Sequence, residues 1–194
     1  MTPARQHPQT GETQAAIEEF LRGHGADQLP HPGGTLFEHL LRVQRLLAEW
    51  GAGPAVQTAG LCHAAYGTDG FAPTLLPLTD RATLVALIGE PAEALVYLYA
   101  GCDRATVYPR IDGTAAVAFR DRFTDRELHP SPDALRAFLE ITAANELDVL
   151  THNAELAGQH GRELYGFLKR AGSLLSPAAQ DAVDRQLAPL AHPK

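Results

Sequence analysis

The sequence predicts an all-α fold, one helical bundle with a short β-hairpin insertion around residues 106–123. Three observations point there. Apolar residues recur at steps of three and four, as in Leu36, Leu40, Val43, Leu47 and Trp50, which is the period of a one-sided helix. Between such stretches stand glycine and proline signals, Gly23-His24-Gly25, Gly51-Ala52-Gly53-Pro54 and Gly89-Glu90-Pro91, which end one helix and open the next. The period breaks between Thr106 and Phe123, where Val107, Ile111 and Ala116 to Phe119 flank Asp112-Gly113, a pair suited to a hairpin turn. With 194 residues and 45% hydrophobic composition, the chain can bury one substantial core. Nothing reads as a linker, so a single domain over 1–194 is expected, with its core at about 35–152 and C-terminal helices within 160–188 packed on it.

Taken in order, residues 10–22 form an amphipathic helix with Ala16, Ile17, Phe20 and Leu21 inward, a lid for the bundle. Thr35 caps the next helix. At about 100° per residue, His39 lies about 60° from Leu36, on the shoulder of the buried stripe. The second central helix runs from Pro54 to about Tyr66 and carries His63 on nearly the same face as Val56, Ala59 and Gly60. That face is small-sided, so the helices can approach closely and both histidines can point into one space. The loop Tyr66-Gly67-Thr68-Asp69-Gly70-Phe71 leaves directly from the His63 end. Helices from Leu78 to Ile88 and from Glu90 to Asp103 follow, and Arg104 comes next. Arg110, Arg120 and Arg122 with Asp121 and Asp125 read as an exposed charged hairpin. On the helix from Pro132 to His152, Leu135, Leu139, Thr142 and Val149 mark the inward stripe; Glu146 lies within about 40° of it and Asp148 projects to the far side. Segments 163–170 and 177–187 supply the closing helices.

Composition excludes several classes. The formal charge is −7 and no Lys/Arg run stands out, which argues against a nucleic-acid groove. No window approaches the ~18 apolar residues of a membrane span, and the polar segment Met1 to Thr10 lacks the apolar core of a signal peptide. The two cysteines, Cys62 and Cys102, form no paired motif, so a reducing cytoplasmic location is expected; the expected substrate is a small molecule. The sequence does not specify an oligomeric state.

Two histidines on consecutive antiparallel helices are the main chemical signal. Each alone can be a core histidine with satisfied hydrogen bonds; together they point to metal ligation or acid–base chemistry. His31, in a Pro/Gly-rich turn, can fold over the cleft mouth or stay solvated. Tyr66 and Thr68 are candidate contacts for a substrate oxygen, or a helix cap with Tyr66 packed beneath it. Arg104 is a candidate for holding a phosphate or carboxylate, or a surface ion pair. Cys62 adjoins His63 in sequence, but helix neighbours point about 100° apart.

His39, the Leu/Val-rich helix after it, the glycine turn and then Ala59-Gly60-Leu61-Cys62-His63-Ala64 resemble the HD-domain superfamily, in which a first-helix histidine precedes a Gly-Leu-Leu-His-Asp motif. The spacing, 24 positions from 39 to 63, is similar to that of (p)ppGpp hydrolase domains and of HD-type mixed-valent di-iron oxygenases. The resemblance spans about residues 35–152. It implies an HD-like helical bundle and a divalent metal, Mn, Fe or Zn. Two positions depart from it: Ala64 stands where the family has the aspartate of its His-Asp doublet, and Asn145, in Ala144-Asn145-Glu146-Leu147, stands where it has its last aspartate ligand. The run from His31 to Leu40 with His63-x-x-Tyr66-Gly67-Thr68 is also similar to small bacterial HD-like proteins sharing the replaced aspartate.

Four functions are therefore expected as alternatives. In the first, a metal-dependent hydrolase of a phosphate or related ester, His39, His63 and Glu146 hold the metal. His31, His39, His63, Tyr66 and Glu146 form its catalytic set, and Thr68, Arg104 and Asn145 bind substrate. The others are an HD-type iron oxygenase, a metal-independent isomerase, cyclase or lyase working through histidine, and a binding or scaffold protein.

Overall fold

The structure is a computed structural model and describes residues 8–191; the N-terminal segment before Pro8, read above as polar and leaderless, lies outside the described residues. Nine α-helices and two small antiparallel hairpins make up the described chain, an all-α fold with short β insertions. Helix α1 (Pro8–Gly23) leads to strands β1 (Pro30–His31) and β2 (Gly34–Thr35), followed by α2 (Leu36–Glu49) and α3 (Pro54–Cys62). Helices α4 (Arg81–Ile88), α5 (Glu90–Gly101) and the single turn α6 (Arg104–Val107) precede the hairpin of β3 (Phe119–Asp121) and β4 (Arg126–Leu128). Helices α7 (Pro132–His152), α8 (Ala154–Arg170) and α9 (Pro177–Ala191) complete the bundle.

Helix α7 is the axis, packed against α2, α3, α5, α8 and α9. Leu135, Phe138, Leu139, Ile141, Ala143, Ala144 and Leu147 are all buried, so apolar groups surround it instead of forming one stripe, the signature of a core helix. Ser131 caps it through Ala134 N, with Pro132 in its first turn.

Helix α2 starts where its sequence dictates. Thr35 Oγ1 accepts from Glu38 N at 3.3 Å while the Glu38 carboxylate accepts from Thr35 N at 2.8 Å, a reciprocal capping box. Just before it, the β1–β2 hairpin turns through Pro32-Gly33, with His31 opposite Gly34. Gly33 has φ +79°, and a Cβ there would come within 2.6 Å of the His152 ring, so both backbone and space require glycine. This turn fixes where His31 lies.

Several local expectations are corrected. Helix α3 ends at Cys62, with His63 as its C-cap, so His63 to Tyr66 form a turn and not the helix's last turn. Ala16 is exposed, while Ile17 and Leu21 are buried. The longer insertion has its hairpin at 119–128, and Asp112-Gly113 is not its turn: Asp112 Oδ1 accepts from Thr114 N at 2.9 Å, closing a local loop instead. The closing helix expected over 163–170 begins earlier, at Ala154.

Close approach of α2 and α3 depends on Gly60, where a Cβ would overlap the side chain of fully buried Leu47. Gly60→Ala should therefore cost about 1–3 kcal/mol of stability through overpacking. Urea unfolding checks this, and an unchanged midpoint would contradict the tight contact.

Candidate functional site

His39 projects from the second turn of α2 and is fully buried. Its Nδ1–H donates to Asp148 Oδ2 at 2.6 Å, and its Nε2 lies 3.1 Å from Asn145 Oδ1. Asn145 donates from Nδ2 to Glu146 Oε1 at 3.2 Å. Both ring nitrogens of His39 therefore face oxygen atoms carried by α7.

Asp148 is held on its other side by Arg42, whose Nε and Nη2 donate to the two carboxylate oxygens at 2.7 and 3.0 Å. Burial alone would raise the Asp148 carboxyl, but hydrogen bonds and charge from His39 and Arg42 outweigh it and hold it below the usual carboxylate range. Asp148 therefore does not project to the far side of α7. Because α7 is enclosed all round, the face turned to α2 is as buried as the face turned to α6.

His63, at the end of α3, donates from Nδ1 to Gly60 O at 2.7 Å. This sets the tautomer and leaves the Nε2 lone pair for the cleft. Burial, then the electrostatic influence of His39, pushes its pKa down to about 3. His31 stacks on His39 with ring centroids 4.0 Å apart, and burial followed by the same influence lowers it to about 4. Its Nδ1 is buried with no partner among the described residues. The His39 and His63 centroids are 5.3 Å apart in an edge contact.

These groups border a cavity of about 250 Å³ lined by His31, His63, Thr68, Arg104, Asn145 and Glu146. Ala64 also lines it, at the position where the expected carboxylate is replaced. His39 lies directly behind the wall, between His31 and His63. Arg104 Nη1 donates to Glu146 Oε1 at 3.1 Å and Nη2 to Tyr99 Oη at 3.0 Å. The Arg104 backbone N–H donates to Asp69 Oδ2 at 2.8 Å, which ties α6 to the loop carrying Thr68.

Seven of the eight candidate residues are thus brought together, and Tyr66 is not among them. Its hydroxyl donates to Glu93 Oε1 at 2.8 Å, and Arg81 grips the same carboxylate with two bonds of 2.7 Å. Cys62 is fully buried and pushed up to about 12 by that burial, so it is no nucleophile. Sequence reasoning missed Arg42 and Asp69 as supports and misplaced Asp148. The spacing of Arg42 three residues after His39, and of Asp148 three after Asn145, was the available signal.

Among the described residues no group of three or more His, Cys, Asp or Glu side chains is arranged to hold a metal ion. The donors at the family-matching positions are two imidazoles and an amide oxygen, while the nearby carboxylates are already engaged by Arg42 and Arg104. That donor set does not make a cage for a divalent cation. Likewise, no helix of the described chain is long and apolar enough to cross a membrane.

The architecture is a helical bundle with a buried histidine cluster beside a cavity lined by Arg104, Asp69 and Glu146. Residues 20–104, less than half of the chain, match the family model of a domain of unknown function, DUF6817. No curated protein and no solved structure matches the chain. The matched stretch holds His31, His39, His63, Thr68 and Arg104; α7, with Asn145, Glu146 and Asp148, lies beyond it.

Two outcomes follow from this geometry. Tyr66→Phe should cost about 1.5–3 kcal/mol, one hydrogen bond to a charged carboxylate, and leave ligand binding in the cleft unchanged by calorimetry. Second, acid should destabilise the fold. His31 and His63 titrate near 6.5 when unfolded but near 4 and 3 when folded. Below 6.5 the unfolded chain therefore binds protons that the native chain refuses. Their stabilising contribution is complete above pH 6.5 and is lost as pH falls toward 4 and 3. For His63 the slope approaches about 1.4 kcal/mol per pH unit. Urea midpoints between pH 7 and 4.5 should show the fall, and His63→Gln should flatten it.

Proposed function

We propose that the chain is a metal-independent enzyme acting on a small anionic molecule, with His63 as general base and Arg104 as the anion holder. The observation that carries this reading is that a neutral imidazole and an arginine fork line one cavity. His63 Nε2 takes a proton from a substrate C–H or O–H, and its Nδ1–H stays on Gly60 O, supporting the imidazolium that forms. Arg104 orients the anionic group beside it, and Thr68 and Asn145 offer hydrogen bonds to substrate oxygens. His39 with Asp148 is a positioning pair packed against the His63 ring, and burial, followed by the electrostatic influence of His39, lowers the proton affinity of His63. Bound negative charge offsets that of Arg104, so proton affinity at His63 rises when substrate is present. The reaction class is an isomerase, lyase or cyclase step beginning with proton removal.

A second reading is a metal-dependent HD-type hydrolase. It is favoured by the convergence of His39, His63 and Asn145 at the positions where the HD resemblance puts metal ligands. Its weakness is the donor set described above.

In deuterated buffer, a panel of small oxo-carboxylates should include at least one whose C–H exchanges with solvent in the presence of the protein. The His63→Gln variant should lose about 10²–10⁴-fold of that rate, and a chelator should leave the wild-type rate alone. Exchange that a chelator abolishes and Mn, Fe or Zn restores, in protein purified without a polyhistidine tag, would transfer the assignment to the metal enzyme. Equal exchange in His63→Gln would remove His63 from the chemistry.

A further inference from the structure

A second cavity, of about 540 Å³, lies between α6, α7 and α8. Its walls are mainly apolar: Tyr108, Val149, Leu150, Leu156, Leu164 and Phe167. His160, Glu163 and Arg170 also contribute to its lining. The Tyr108 and Phe167 rings stack on each other with centroids 4.2 Å and planes 8° apart. Arg104, Glu146, Val149 and Leu156 border this chamber and the histidine cleft alike. The two spaces therefore meet at the Arg104–Glu146 ion pair.

Two features make this more than an apolar hollow. The Tyr108 hydroxyl is buried without a partner among the described residues, a costly state that a ligand oxygen would relieve. Arg104 uses one N–H on Glu146 and another on Tyr99, and its planar fork has further donors for an oxyanion. A volume of this size also falls within the range of small-molecule sites.

We infer that the ligand is an amphipathic anion, with a carboxylate or similar oxyanion head at Arg104 facing the histidine cleft and an apolar tail in the chamber beyond it. This deepens the proposed function and rests on the reading of the cleft as a small-molecule site. The head's oxygens take Arg104 donors and the Tyr108 hydroxyl, whose ring centroid lies 5.8 Å from the Arg104 guanidinium, and the tail runs past Phe167 and Leu164.

The test is a chain-length series, butyrate, hexanoate, octanoate and decanoate, titrated by calorimetry against the full chain. Affinity should rise about four-fold per methylene from butyrate to octanoate. Arg104→Gln should weaken every member about ten-fold and keep the slope. Leu164→Trp and Val149→Phe, two independent ways of filling the chamber, should flatten the series to the butyrate value while circular dichroism shows an intact fold. Magnetisation transfer between the octanoate methyl and the Phe167 ring would place the tail without any substitution. A flat series in wild type overturns the inference, and so does an undiminished slope in both folded variants. Ring ¹⁵N signals separate it from the reading beneath it. A steep series that leaves the His63 signal unmoved keeps the tail chamber and sinks the histidine chemistry; a His63 shift without a length series does the reverse.

Discussion

The buried hydrogen bond between His39 and Asp148 is the contact on which the rest of the site depends. Side-chain exposures of 1% and 3% put both groups where an uncompensated charge would be severely unfavourable. Arg42 makes the arrangement tolerable by closing a two-bonded fork on the same carboxylate. The three side chains lock α2 against α7. His31 and His63 are held neutral first by burial and then by the electrostatic influence of His39.

From this pair a continuous hydrogen-bond network crosses the cleft wall. It runs from Arg42 through Asp148, His39, Asn145 and Glu146 to Arg104 and Tyr99. Each carboxylate in it has one guanidinium, and Asn145 is the neutral link between the His39 ring and the anionic Glu146. An aspartate at that position would put a third carboxylate into the line, and its oxygen could not donate to Glu146 as the amide does. His31 and His63 stand outside this network, touching it only through ring contacts. They keep nitrogen lone pairs uncommitted, the property a cleft needs if it is to accept protons or hydrogen bonds from a ligand.

Much of the fold was legible because its signals are local. Thr35 and Gly53-Pro54 are caps, α2 and the start of α3 begin where those caps put them, and α7 spans the stretch read for it, Pro132–His152. The histidine pairing was legible for the same reason, since a short loop forces neighbouring helices side by side. What failed were extrapolations of one helical phase. The second central helix was carried on to Tyr66 although it stops at Cys62, and one inward stripe was assumed for α7, although both Glu146 and Asp148 are buried. The turn signal at Asp112-Gly113 was satisfied by an Asx contact, leaving the strands to pair where Phe119 could be buried opposite Leu128. Strands of two residues, which carry His31, have no periodicity to read.

Arg42 does more than neutralise Asp148. Its Nη1 and Nη2 also donate to the carbonyls of Gly33 and Pro32, at 3.3 and 2.9 Å, so one guanidinium holds both the buried carboxylate and the hairpin bearing His31. Lifting that hairpin away from the cleft would pull the guanidinium off those carbonyls or off Asp148. In the second case the His39–Asp148 pair would lose its balancing charge. The mouth of the cavity and the electrostatics of its floor are thereby mechanically joined, and a ligand entering past His31 would act on the two as a single degree of freedom.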